Sequence, residues 1–82
     1  MHIRIYSTPA CGYCRLAKEF LKSKNIDFEE VDVMADEKAA EEMIKLSGQM
    51  GVPVIIITKD NGSREIMVGF QEEKLKEILK IK

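Results

Sequence analysis

The sequence is short of metal ligands. It has two cysteines and one histidine, and both cysteines fall in one stretch, TPACGYCRLAKEF, Thr8 to Phe20. A tetrahedral metal centre needs four ligands, so a site built within one chain is disfavoured, and His2 lies at the far end of the first predicted strand. The chain also has no apolar run near the ~18 residues that a membrane span requires. It has no excess of one charge: thirteen Lys+Arg stand against fourteen Asp+Glu, for a net charge of -1. That balance argues against a general binder of nucleic acid or anionic membrane, which needs a basic face. No repeat, low-complexity tract or linker breaks the chain. MHIRIYS at the N-terminus alternates like a strand and does not resemble a signal peptide. The expected location is therefore cytoplasmic, where ordinary thiols are kept reduced and a static disulfide is unusual.

What remains is a chain of 82 residues, read as a single domain spanning 1–82. A domain this small buries only about 60–65% of the surface of its unfolded chain, so its core has to be compact. IRIYS (Ile3 to Ser7) reads as a first strand, with Ile3 and Ile5 on one face and Arg4 and Tyr6 on the other. Pro9 ends it. A helix follows from about Gly12 to Lys24, with Tyr13, Leu16, Ala17, Phe20 and Leu21 at helical spacing and Asn25 suited to a left-handed stop. IDFEEVDV (Ile26 to Val33) is a second strand, β-branched and aromatic, whose alternation slips in a way an edge strand tolerates. The next helix has Asp36 as N-cap and Gly48 as stop, with Ala40, Met43, Ile44 and Ser47 expected on one side. VPVIIIT (Val52 to Thr58) is apolar enough for the centre of a sheet. Asn61-Gly62 is a hairpin signal, and REIMVGF (Arg64 to Phe70) is the returning strand. QEEKLKEILK is a last amphipathic helix with Leu75, Ile78 and Leu79 inward. The mixed charge runs read as solvated helix faces. The first βαβ unit should be parallel with a right-handed crossover, and the last two strands antiparallel.

The cysteine pair has several readings. A structural disulfide over so small a loop would restrict the unfolded chain little. Two reduced core thiols would leave the loop position of Cys11 unexplained. A cluster shared between two chains stays open. A redox pair fits the local physics best. Cys11 stands at the start of a helix, whose free N–H groups and positive dipole end favour a thiolate. Cys14 lies one turn in and is placed to act as resolving thiol. Gly12 leaves the turn between them flexible. A C-x-x-C beside a βαβ pattern is a redox signal. In GVPV (Gly51 to Val54), Pro53 should open the third strand, and the backbone of Val52 could pair with an extended thiol peptide.

YSTPACGYC at Tyr6 to Cys14, GVPV at Gly51 to Val54 and VGF at Val68 to Phe70 together resemble the glutaredoxins, across nearly the whole chain. The resemblance implies an α/β thioredoxin/glutaredoxin fold: a mixed four-stranded sheet in the order 2-1-3-4, flanked by three helices. It implies thiol-disulfide exchange on protein disulfides or glutathione mixed disulfides through a reversible Cys11–Cys14 disulfide. Cys11 would be the nucleophile and Cys14 the resolving thiol. Pro53 would be cis, and Tyr13, Gly51, Val52, Gly69 and Phe70 would line the substrate groove with it. No tightly bound cofactor and no metal are expected. The partners implied are disulfide-containing proteins and an electron donor, either glutathione or a protein reductase, with the chain itself a monomer. Glutathione-using members usually carry Lys three residues before the first cysteine, a basic residue before T-V-P, and paired acids before the last helix. Here these positions hold Thr8, Met50 and the stretch VGFQE, Val68 to Glu72. That GF is similar to small redoxins that serve ribonucleotide reductase and draw electrons from thioredoxin reductase. Gly12, where the family pattern has Pro, is similar to members that share an iron-sulfur cluster between two chains. A glutathione-assisted, cluster-carrying dimer using Cys11 is the alternative reading.

Overall fold

The computed structural model describes residues 1–81. The chain runs β1 (His2–Ser7), α1 (Gly12–Ser23), β2 (Glu29–Asp32), α2 (Glu37–Ser47), β3 (Val54–Thr58), β4 (Arg64–Val68) and α3 (Glu72–Leu79). The strands form one mixed sheet in the order β2-β1-β3-β4. β1 pairs with β2 in parallel, while β3 pairs antiparallel with both β1 and β4. This is the order and pairing of a thioredoxin/glutaredoxin fold.

Strand alternation divides the core in two. Ile3 and Ile5 of β1, Ile55 and Ile57 of β3 and Met67 of β4 face α1 and α3, where they meet Ala17, Leu21 and Leu75. Tyr6, Val54 and Ile56 face α2 and meet Ala39 and Met43. β3 is buried on both faces, as a central strand must be. On the α2 side the Tyr6 hydroxyl donates to Glu42 Oε1 at 2.7 Å, and Arg4 Nη1 donates to the same oxygen at 2.9 Å. These bonds tie α2 to β1.

Local signals fall where the sequence put them. The Asp36 carboxylate accepts from the Lys38 and Ala39 N–H groups, and Gly48 ends α2 in the left-handed region at φ 74°. At the hairpin, Gly62 N–H donates to the Lys59 carbonyl at 2.9 Å and Lys59 N–H to the Ser63 carbonyl at 2.8 Å. Gly62 takes φ 89° there, a conformation that costs a side-chain-bearing residue strain. Met43 and Met67 are core residues.

Three expectations need correction. The second strand is only Glu29–Asp32, at the sheet edge. Its apparent slip comes from partial cover on both sides: Phe28 packs on the α1 side, Val31 and Val33 on the α2 side. In α1 the inward residues are Cys14, Ala17 and Leu21, at i, i+3 and i+7, whereas Tyr13 is 67% and Leu16 49% exposed. In α2 the face packed on the sheet is Ala39, Met43 and Leu46; Ala40 and Ser47 are half-buried beside it, and Ile44 is exposed. Both helices carry more apolar positions than the sheet can cover, so periodicity alone does not choose which of them turn inward.

Candidate active site

The loop after β1 delivers Cys11 to the start of α1. Cys11 N–H donates to the Thr8 carbonyl at 3.2 Å, which closes a turn. Cys11 is the N-cap of α1, with extended backbone at φ -84°, ψ 112°. Its Sγ accepts from Cys14 N–H at 3.0 Å, one of the helix N–H groups that lack an intrahelical partner. The first turn of α1 contains no acidic residue to oppose negative charge on that sulfur. Cys11 and Cys14 form a disulfide with their Cα atoms 5.2 Å apart. Cys11 is half-buried, while Cys14 is only 1% exposed. The two sulfurs are thus unequal: one meets solvent at the positive end of a helix, the other lies beneath it.

A second loop leads into β3. The Val52–Pro53 peptide is cis, Pro53 is buried, and β3 begins at the next residue. The Pro53 carbonyl accepts from Gly69 N–H at 2.8 Å, which joins the end of β4 to this loop. Phe70 packs against Phe20 of α1, with ring centroids 5.8 Å apart. Among the described residues, neither the N–H nor the C=O of Val52 has a hydrogen-bond partner, and Val52 is half-buried. Tyr13 is exposed beside Gly12 and Leu16, where the three line an open pocket. The structure therefore joins Cys11 with Cys14, Pro53 with Gly69, and Phe70 with α1. No hydrogen bond links the cysteine turn to the Gly51–Pro53 loop among the described residues.

Two features had no place in the sequence reading. Gln49 folds back on Gly51: its Oε1 accepts from Gly51 N–H at 2.6 Å, and its Nε2 donates to the Gly51 carbonyl at 3.0 Å. A Cβ on residue 51 would lie 2.7 Å from that Oε1, so the clamp depends on glycine. The other is a polar cluster of Ser7, Lys18 and Glu30. Its signal was present: Ser7 continues the Ile3, Ile5 alternation at a position where the core wants an apolar side chain. Among the described residues, no group of three or more His, Cys, Asp or Glu side chains is gathered as a metal ion would require.

The glutaredoxin family model matches residues 3–61. The chain belongs to the glutaredoxin family. A glutaredoxin-like 8.6 kDa protein of the rubredoxin operon of Clostridium pasteurianum is 49% identical over 77 residues, 94% of this chain and 96% of that one. Glutaredoxin 3 of Escherichia coli K12 is 41% identical over 56 residues, 68% of each chain. The solved NrdH-redoxin of Escherichia coli, described as a glutaredoxin-like protein, superposes with a TM-score of 0.78 at 27% identity, covering 95% of both chains. This glutaredoxin-like chain carries a C-x-x-C pair able to close as a disulfide, and no helix among its described residues is long and apolar enough to cross a membrane.

Proposed function

We propose that the protein is a dithiol oxidoreductase that reduces protein disulfides, with Cys11 as nucleophile and Cys14 as resolving thiol. The observation that carries this reading is the inequality of the two sulfurs: Cys11 at the helix N-terminus with a backbone N–H on its Sγ, Cys14 buried behind it. Cys11 thiolate attacks one sulfur of R–S–S–R′, forms the mixed disulfide Cys11–S–S–R and releases R′S⁻, which takes up a proton. Cys14 then loses its proton and attacks Cys11 Sγ. The Cys11–Cys14 disulfide forms and RS⁻ leaves, so the substrate gains two electrons and the protein loses them. Two thiols of a donor reverse the change. The unpaired backbone of Val52 supports a groove in which an extended substrate adds as a strand, flanked by Tyr13, Gly51, Pro53, Gly69 and Phe70.

The donor we infer is a protein reductase, with glutathione the weaker one. A thiol tripeptide carries two carboxylates and an amine, so selective binding calls for a cation and an anion around the groove. Thr8 and the exposed Met50 offer no cation, and the Gln71 side chain is engaged with the Val68 carbonyl at 3.0 Å. The NrdH-redoxin is described as having a thioredoxin-like activity profile, which supports the same choice. The test is reduction of a model disulfide with glutathione plus its reductase, against thioredoxin reductase, as donors. Faster turnover with glutathione would overturn the inference. Each missing charge contact costs roughly 0.5–1.5 kcal/mol, so Thr8→Lys should raise glutathione turnover about threefold to tenfold. Turnover with the protein donor should stay nearly unchanged.

Gln49 acts as a positioning residue for Val52, through its two hydrogen bonds to the preceding Gly51. Gln49→Ala removes both hydrogen bonds to Gly51. We expect KM for a protein disulfide to rise roughly threefold to tenfold, with kcat within about twofold, because the thiols are untouched. Steady-state kinetics check it, and an equal fall in kcat would show that the clamp does more than hold the loop.

A further inference from the structure

On the α1 side of the sheet the two central strands present Ile3 and Ile5 from β1 and Ile55 and Ile57 from β3, and the apolar run of β1 stops at its last residue. Ser7 is the one buried polar residue among those described, at 1% exposure. It is the last residue of β1 and shares a face with Ile3 and Ile5, so it points toward α1 near the helix start. Its hydroxyl donates to Glu30 Oε2 at 3.2 Å. Glu30 stands opposite Ile5 in the β1–β2 register and so belongs to the same face. Lys18 Nζ donates to the same carboxylate oxygen at 2.6 Å. Lys18 follows Cys14 by four residues, which makes the two neighbours on one helix face. An ammonium and a carboxylate are thereby fixed together one turn from the buried thiol. As a staple between helix and edge strand the pair would contribute little at this exposure.

We propose that Lys18 and Glu30, held together with Ser7, act as opposed charges on the two thiols: either one alone would shift how readily the thiols ionise and how strongly the protein oxidises its partners, and pairing keeps those shifts in balance. The proposal rests on the thiol-disulfide reading above. Lys18 favours a nearby thiolate and Glu30 opposes it, so the intact pair nearly cancels and either half alone does not. Glu30 acts through its charge rather than as a proton acceptor. The hydrogen bond from Lys18, against some desolvation, holds its carboxyl below the usual range, and Ser7 and Lys22 add to the effect. The remaining charges nearby are few. α1 carries the exposed Arg15 and Glu19. On β2, the Asp32 carboxylate accepts from the Met34 and Ala35 N–H groups. On α3, Glu72 and Glu73 pair with Lys76. A more stable thiolate stabilises the dithiol form, which makes the protein more oxidising.

The test titrates the reduced protein by thiolate absorbance. It also equilibrates the couple against glutathione: protein dithiol plus one glutathione disulfide gives protein disulfide plus two glutathione. Glu30→Gln should lower the first thiol pKa by about half a unit to one unit. It should also move the equilibrium toward the dithiol about threefold to tenfold. Lys18→Met should shift both readouts the opposite way by a similar amount. The double variant should return near the parent, and Lys18→Arg, which keeps the charge, should titrate like it. Raised salt should shrink every difference. Shifts of the same sign in the two single variants, or folded variants with unshifted titrations, overturn the proposal. A loss of thermal stability alone would mark the pair as a staple. The titration uses no turnover, so its failure is separable from a failure of exchange activity.

Discussion

Cys11→Ser should abolish disulfide reduction, with turnover falling at least about a thousandfold, because the hydroxyl is not a nucleophile at neutral pH. Cys14→Ser should behave differently. The first attack needs only Cys11, which keeps its place at the helix N-terminus and its hydrogen bond from the residue 14 backbone N–H. The second attack has no thiol left to make it. The variant should therefore accumulate the mixed disulfide with its substrate, visible as an added mass that a strong thiol releases. In the unmodified reduced protein, alkylation below neutral pH should label Cys11 first, since only that sulfur is both accessible and favoured as thiolate. Preferential labelling of Cys14, or a trapped adduct in Cys11→Ser and not in Cys14→Ser, would reverse the assignment.

Leu21→Ala should cost about 2–5 kcal/mol, because Leu21 is fully buried between α1 and the sheet and the vacated space has rigid neighbours in Ile3, Ile5 and Ile55. A domain of this size has roughly 4–12 kcal/mol to lose. The melting midpoint should fall by roughly 8–40 °C. Leu16→Ala, five residues earlier in the same helix, should change stability by no more than about 0.5 kcal/mol, since Leu16 is half exposed. The contrast tests the helix face directly. Equal losses at the two positions would mean that α1 is seated as its apolar periodicity alone suggests.

That contrast also marks where the sequence stops being informative. Ile3, Ile5 and Tyr6 disclosed their faces because a strand has a period of two and each side of this sheet has its own helix layer. Asp36, Gly48 and the Asn61-Gly62 turn were legible because capping and positive φ are local chemistry. Tyr13, Leu16 and Ile44 were not. Each is apolar and correctly spaced for a core, yet each is exposed, and only the docking of the helix decides that. The cysteine pair was legible from its spacing and its place before a helix. The Gln49–Gly51 clamp was not, since a side-chain amide folding back over two residues leaves no periodic trace. The Ser7–Glu30–Lys18 cluster joins three elements, and no single stretch of chain contains it.

The hairpin turn has a practical use. β3 starts at Val54 opposite Tyr6 and ends at Thr58 opposite His2, so the turn from Lys59 to Ser63 hangs from the sheet end opposite the thiols. Five strand residues separate the two ends by roughly 16 Å. Residues 60–63 are all exposed. An anchor attached there would immobilise the molecule on an electrode with its sulfurs turned toward the solution. A voltammogram could then follow the couple directly, without a partner protein as intermediary.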